Sequence, residues 1–149
     1  LWLMGVGVPM VGFGAGLLAL PRALPRAAGG TVLAFGALEL AAGTIFFMNS
    51  RRRVPLFTRQ IVAQPQRYRE VEQRRMGMVN SQMRLLESAE INLILAGLAV
   101  GTAGALQGQD SLTGFGAGLA LHAAILLIYD QLAARRALRY SDALGRFRF

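Results

Sequence analysis

Six side chains carry the chemistry this sequence can offer: Glu39, Glu87, Glu90, His122, Tyr129 and Asp130. All stand in or beside apolar stretches. An ionisable group at the centre of a bilayer costs roughly 2.5–3.5 kcal/mol on insertion scales, so its presence there points to function. Carboxyls and imidazole at staggered depths are the groups that relay protons, because burial and neighbours bring their titration toward neutrality. Glu39 falls near the middle of one apolar stretch and His122 near the middle of another, at matching depth. On a helical wheel Glu39 shares its face with Phe35, Gly36, Ala42, Gly43 and Phe46, and His122 shares its face with Gly114, Gly118, Ile125 and Tyr129. Both point along small-residue stripes, where a partner helix comes close. A Glu39–His122 hydrogen bond or ion pair is predicted. The competing reading is that the pair only locks helix register.

A second polar group, Glu87, Glu90 and Asn92 with Tyr129 and Asp130, gathers nearer one end of the spans. Arg84 precedes Glu87 by one turn and suggests a local ion pair. Glu87 and Asp130 fit headgroup level, solvated or paired with arginine. Glu90 instead points along the glycine face formed by Ile94, Gly97, Gly101 and Gly104.

The elements that position these groups follow from composition. The chain has 149 residues, 54% hydrophobic and only 16% charged, against about 25% charged in soluble domains. This predicts a single all-α integral membrane domain with four spans, at about 1–20, 31–48, 85–106 and 114–132. In the first span Gly5, Gly12 and Gly16 offer a packing stripe and Pro9 a kink. Residues 21–30, with two prolines and a Gly-Gly pair, read as a turn. Residues 49–84 form a polar, basic link that begins with a sharp stop at Asn49–Arg53, and residues 133–149 form a basic tail. No proline occurs after Pro65, so one helix can run from Gln66 to Leu106, about 60 Å, extending the third span beyond the membrane.

All 16 basic residues are arginine, nine in the link and five in the tail, and the net charge is +8. The positive-inside rule then places the link and both termini on the cytoplasmic, matrix or stromal side of a bacterial inner membrane or an organellar inner membrane. Arg51, Arg52, Arg53, Arg135 and Arg136 are candidate contacts for anionic headgroups such as cardiolipin. The arginines flank apolar segments without stacking aromatics, which argues against nucleic acid.

With no cysteine, thiolate sites and cysteine nucleophiles are excluded. The Glu-x-x-His pairs of di-iron bundles are absent, Glu87–Glu90 being Glu-x-x-Glu, so no metal site is predicted. No cofactor is predicted either, although His122, with Gly118 one turn earlier, is a weak candidate ligand for a haem or chlorophyll-type pigment. Hydrolase and phosphate-loop motifs are missing, and an enzyme is not expected.

Spans two to four resemble the small proton-channel subunit K of NADH–quinone oxidoreductases. The likeness lies in an arginine cluster after one span, LLESAEIN at 85–92, a polar turn, and LALHAAILL at 119–127 with a basic tail. The resemblance implies a glutamate in each of the last two spans. Glu87 or Glu90 matches the first, and His122 stands in place of the second. The first span and the long link depart from that pattern. Small-residue stripes on all four spans, the long link and this resemblance give the leading expectation: a non-catalytic accessory subunit of a multi-subunit, bioenergetic membrane complex, with other membrane subunits and anionic lipids as partners. The alternative is a proton- or ion-conducting subunit.

Overall fold

The computed structural model describes the backbone of residues 2–146 and the side chains of residues 6–50 and 63–146. Four helices account for nearly all of it: α1 (Trp2–Leu18), α2 (Ala23–Ala63), α3 (Pro65–Leu106) and α4 (Asp110–Arg146). No strand occurs among the described residues. Three helices are long and apolar enough to cross a membrane, within Ala23–Ser50, Pro65–Leu106 and Asp110–Arg146. With 17 residues, about 25 Å, α1 is apolar but shorter.

Each connection has a local cause. Between α1 and α2, Arg26 Nε donates to the Leu20 carbonyl at 2.8 Å, satisfying an acceptor at the turn. The turn is tighter than the 21–30 segment expected from sequence, because Pro25 sits in the first turn of α2, where a missing N–H costs nothing. Between α2 and α3, Gln64 is extended (φ −146°, ψ 71°) and Pro65 is the first residue of α3. The α3–α4 turn closes through Gly108 at φ 66°, with Gly108 N–H on the Ala105 carbonyl and Gln109 N–H on the Gly104 carbonyl at 2.8 Å. That left-handed position favours glycine, and the two bonds cap the end of α3.

The sharp stop at Asn49–Arg53 is not observed, since α2 continues past Pro55 to Ala63. A proline removes one ladder bond without ending the helix. The basic tail is likewise helical as far as Arg146. The unbroken α3, read from the lack of prolines, is present.

The helices pack in sequence pairs, α1 on α2 and α3 on α4, with α4 also lying against α2 while α2 and α3 barely meet. Glycine makes these contacts close. A Cβ on Gly14 would lie 2.6 Å from Leu33 N and one on Gly7 would lie 2.8 Å from Leu40 N, so α1 crosses α2 backbone to backbone. Gly12 and Gly16, the stripe expected from sequence, meet nothing within 4 Å; the surroundings of Gly5 lie outside the described residues. Between α3 and α4, a Cβ on Gly97 would lie 2.6 Å from Ala120 N and one on Gly104 would lie 2.5 Å from Thr113 N. Val6, Met10 and Val32 form the apolar core, with Ile125, Leu126 and Tyr129 against it. Large apolar side chains such as Leu38, Ile45, Leu95 and Ile128 point outward, as lipid-facing residues do.

Candidate functional site

The site begins where α4 leans on α2. A Cβ on Gly118 would lie 2.7 Å from the Ala28 carbonyl and one on Gly114 would collide with the Leu24 carbonyl. With no side chains between them the two backbones touch, and one turn further His122 reaches Glu39. His122 Nε2 lies 2.7 Å from Glu39 Oε1, and the side chains are 3% and 10% exposed. The predicted pair is present at ion-pair distance, although it lacks hydrogen-bond alignment: both Glu39 oxygens and both His122 nitrogens are buried without a hydrogen-bond partner. Phe35, one turn from Glu39, packs its ring on the imidazole at 5.1 Å between centroids.

Glu90 enters from α3, 5% exposed, on the face that carries Gly97 and Gly104. Asp130 of α4 lies beside its carboxyl, and Glu87 and Glu39 lie within its electrostatic reach. Glu90 Oε2 has no partner. The fold therefore brings together Glu39, His122, Glu90 and Asp130 from three helices, with Glu87 beside them. They form two adjoining pairs and do not converge on one point: among the described residues no three acidic, histidine or cysteine side chains cluster so as to hold a metal ion.

Other candidates lie elsewhere. Tyr129 is half-buried against the apolar core. Arg84 donates to Ser81 Oγ at 3.3 Å instead of pairing with Glu87. Arg135 and Arg136 are exposed on α4, and the side chains of Arg51, Arg52 and Arg53 lie outside the described residues.

A polar cluster that the sequence did not flag joins the far ends of α3 and α4. Glu72 is 3% exposed and accepts from Arg75 through both oxygens, with Nε at 2.7 Å. Tyr140 donates to Glu72 Oε1 at 3.2 Å and its oxygen lies 3.2 Å from that of Tyr68. Arg69 donates to the Gly145 carbonyl at 2.9 Å and Asn80 Nδ2 to Ser141 Oγ at 3.3 Å. The hydrogen bond from Arg75 holds the Glu72 carboxyl below its ordinary range, against the opposing effect of burial. Burial, then the Tyr68 and Glu72 contacts, push the Tyr140 hydroxyl up. A usable signal existed: Glu72 and Glu90 are 18 residues apart, five full turns, and so share one face.

Comparison of the chain with protein-family models, curated proteins and solved structures gives no match in any of the three.

Proposed function

We propose that this chain is a proton-carrying membrane subunit whose working groups are Glu39, His122, Glu90 and Asp130. The observation that carries this reading is the 2.7 Å contact between two buried ionisable side chains whose nitrogens and oxygens are otherwise unpartnered. Buried polar atoms are normally satisfied, and the exceptions cluster where groups change protonation or partner. Beside it the buried Glu90 carboxyl, with Oε2 unpartnered, adjoins Asp130. Four sites in two adjoining pairs let a proton move by short steps between carboxyl and imidazole. The paired arrangement suits a proton better than a metal cation, which draws several oxygens to one centre. A haem or pigment at His122 is less favoured, because Phe35 and Glu39 already occupy its surroundings. On this reading α1 is a fourth span: 17 residues reach the lower limit for crossing, and its glycines seat it on α2.

One observation favours a second reading, an accessory subunit without a proton path in a bioenergetic complex. Gly12 and Gly16 open outward on α1 beside exposed Val8 and Phe13, a surface that other membrane subunits would cover. The exposed arginines suit anionic lipid. Neither reading calls for catalysis or nucleic acid. The two separate in the native assembly isolated in mild detergent. Glu39→Gln and His122→Gln should abolish proton-coupled activity while native mass shows the assembly intact. Full activity in both variants would leave the accessory reading.

A further inference from the structure

On the proton-carrying reading above, we infer that the buried cluster is a one-sided proton well, reached by protons from the arginine-bearing end of the bundle and sealed toward the opposite end. The titratable groups around the buried cluster lie toward the arginine-bearing end from His122. From α3 these are Glu87 and Glu90, and from α4 Tyr129 and Asp130; α1 supplies none, because residues 2–18 contain no ionisable side chain. Asp130 precedes Arg135 by five residues, about 7.5 Å, and Glu87 follows Arg84 by three, about 4.5 Å. Both carboxyls are half-buried, so they stand at the edge of the apolar layer while Glu90 is 5% exposed. Glu87 and Asp130 are thus more exposed than the buried Glu90, Glu39 and His122.

The other half is dry. From His122 to Asp110 is 12 residues, about 18 Å, and from Glu39 to Ala23 is 16, about 24 Å. Within those lengths the only ionisable side chain is Arg26, at the α1–α2 turn. The buried Thr31 hydroxyl is committed to the Ala27 carbonyl at 3.0 Å. Helix backbones fill the remaining space: Gly114 and Gly118 lie on α2, while Gly116 and Gly104 lie against Gly101 and Thr113 across the α3–α4 contact, too close to admit a Cβ. Val32, two turns from Glu39 toward Ala23, is fully buried. A water chain needs polar partners and room for each molecule, and the scarcity of ionisable groups and the glycine contacts both oppose one in this half. The chain by itself therefore loads and unloads protons at one surface. Passage across the membrane requires a second half-path from another chain or a separation of the glycine contacts.

The test uses the full chain in uniformly oriented proteoliposomes. The probe is a pH step applied to one side at a time, read as the infrared band of protonated carboxyls and assigned with Glu90→Gln and Glu39→Gln. Proton uptake driven by a potassium diffusion potential is measured in parallel on the unsubstituted chain, which needs no folded variant. Loss of the band change when the step is applied to the side opposite the arginines, with uptake no faster than in protein-free vesicles, is the expected result. A band change from the opposite side, or uptake above the protein-free rate, would overturn the one-sided well and leave the proton-carrying reading standing. Carboxyls that respond from neither side would overturn both.

Discussion

Tyr140 of α4 donates its hydroxyl proton to Glu72 of α3 at 3.2 Å, tying together two helix ends that lie beyond the apolar segments. Replacing Tyr140 with Phe removes that bond and the Tyr68 contact while keeping the ring, so stability in detergent should fall by about 1 kcal/mol. Glu72→Gln should cost more, because it also removes the charge that Arg75 grips with two hydrogen bonds. Thermal melts of both variants check the order. A larger loss in the tyrosine variant would mean that the Tyr68–Tyr140 hydroxyl contact, not the carboxylate, holds the ends together.

The same cluster sets an acid limit. The folded Glu72 carboxyl titrates below its ordinary value of 4.5, so its contribution is fully present above that pH and is lost as pH falls through the depressed value. The melting difference between the unsubstituted chain and Glu72→Gln should be constant near neutrality and shrink below about pH 4.5. A difference that persists unchanged into strong acid would contradict the assignment.

Glu39 and His122 should be energetically coupled. Glu39→Gln, His122→Gln and the double variant form a cycle whose interaction energy should lie between about 0.5 and 3 kcal/mol, the range for residues in contact. Strictly additive losses in thermal stability would mean that the 2.7 Å contact carries no mutual energy.

Glycines divide into two classes by what lies above them. Gly97→Ala and Gly118→Ala drive a methyl against Ala120 N and the Ala28 carbonyl, and each should lose about 1–3 kcal/mol. Gly12→Ala and Gly16→Ala enter open space and should stay within about 0.5 kcal/mol in the isolated chain. If those two variants leave the isolated chain intact but dissociate the native assembly, the outward face of α1 is a subunit contact.

The absence of native cysteine makes span counting direct, since single cysteines can be introduced without removing others. With α1 crossing, a cysteine at Leu3 should react with an impermeant reagent from the same side as cysteines at Gln73 and Asp142, and cysteines at Leu20 and Gln109 from the other. Labelling of Leu3 from the same side as Leu20 would show that α1 does not cross.

The sequence revealed the inner pair better than the outer cluster. Glu39 and His122 are isolated polar residues in apolar stretches, so depth and face could be assigned from spacing alone, and the small residues beside them marked the contact. In α1 almost every position is apolar, which leaves no phase to choose between Gly12–Gly16 and Gly7–Gly14; contact with Leu33 and Leu40 decides it. The helical course of residues 49–63 is not legible in the sequence because arginines and Pro55 read as a boundary, whereas α2 runs through them to Ala63. Glu72 and Tyr140 are not legible in the sequence because they sit among many charged and polar neighbours, where no single residue stands out. Their partners come from 68 residues away.

Between Pro65 and Leu106, α3 has neither an internal proline nor a positive-φ residue, and Glu72 and Glu90 lie about 27 Å apart on its one face. A helix of that kind transmits displacement along its length. On the proton-carrying reading, a partner that pushed on the Glu72 end of α3 would be linked through unbroken helix to the Glu90 carboxyl, while the glycine contacts hold α3 and α4 in register so that the two helices move as one lever.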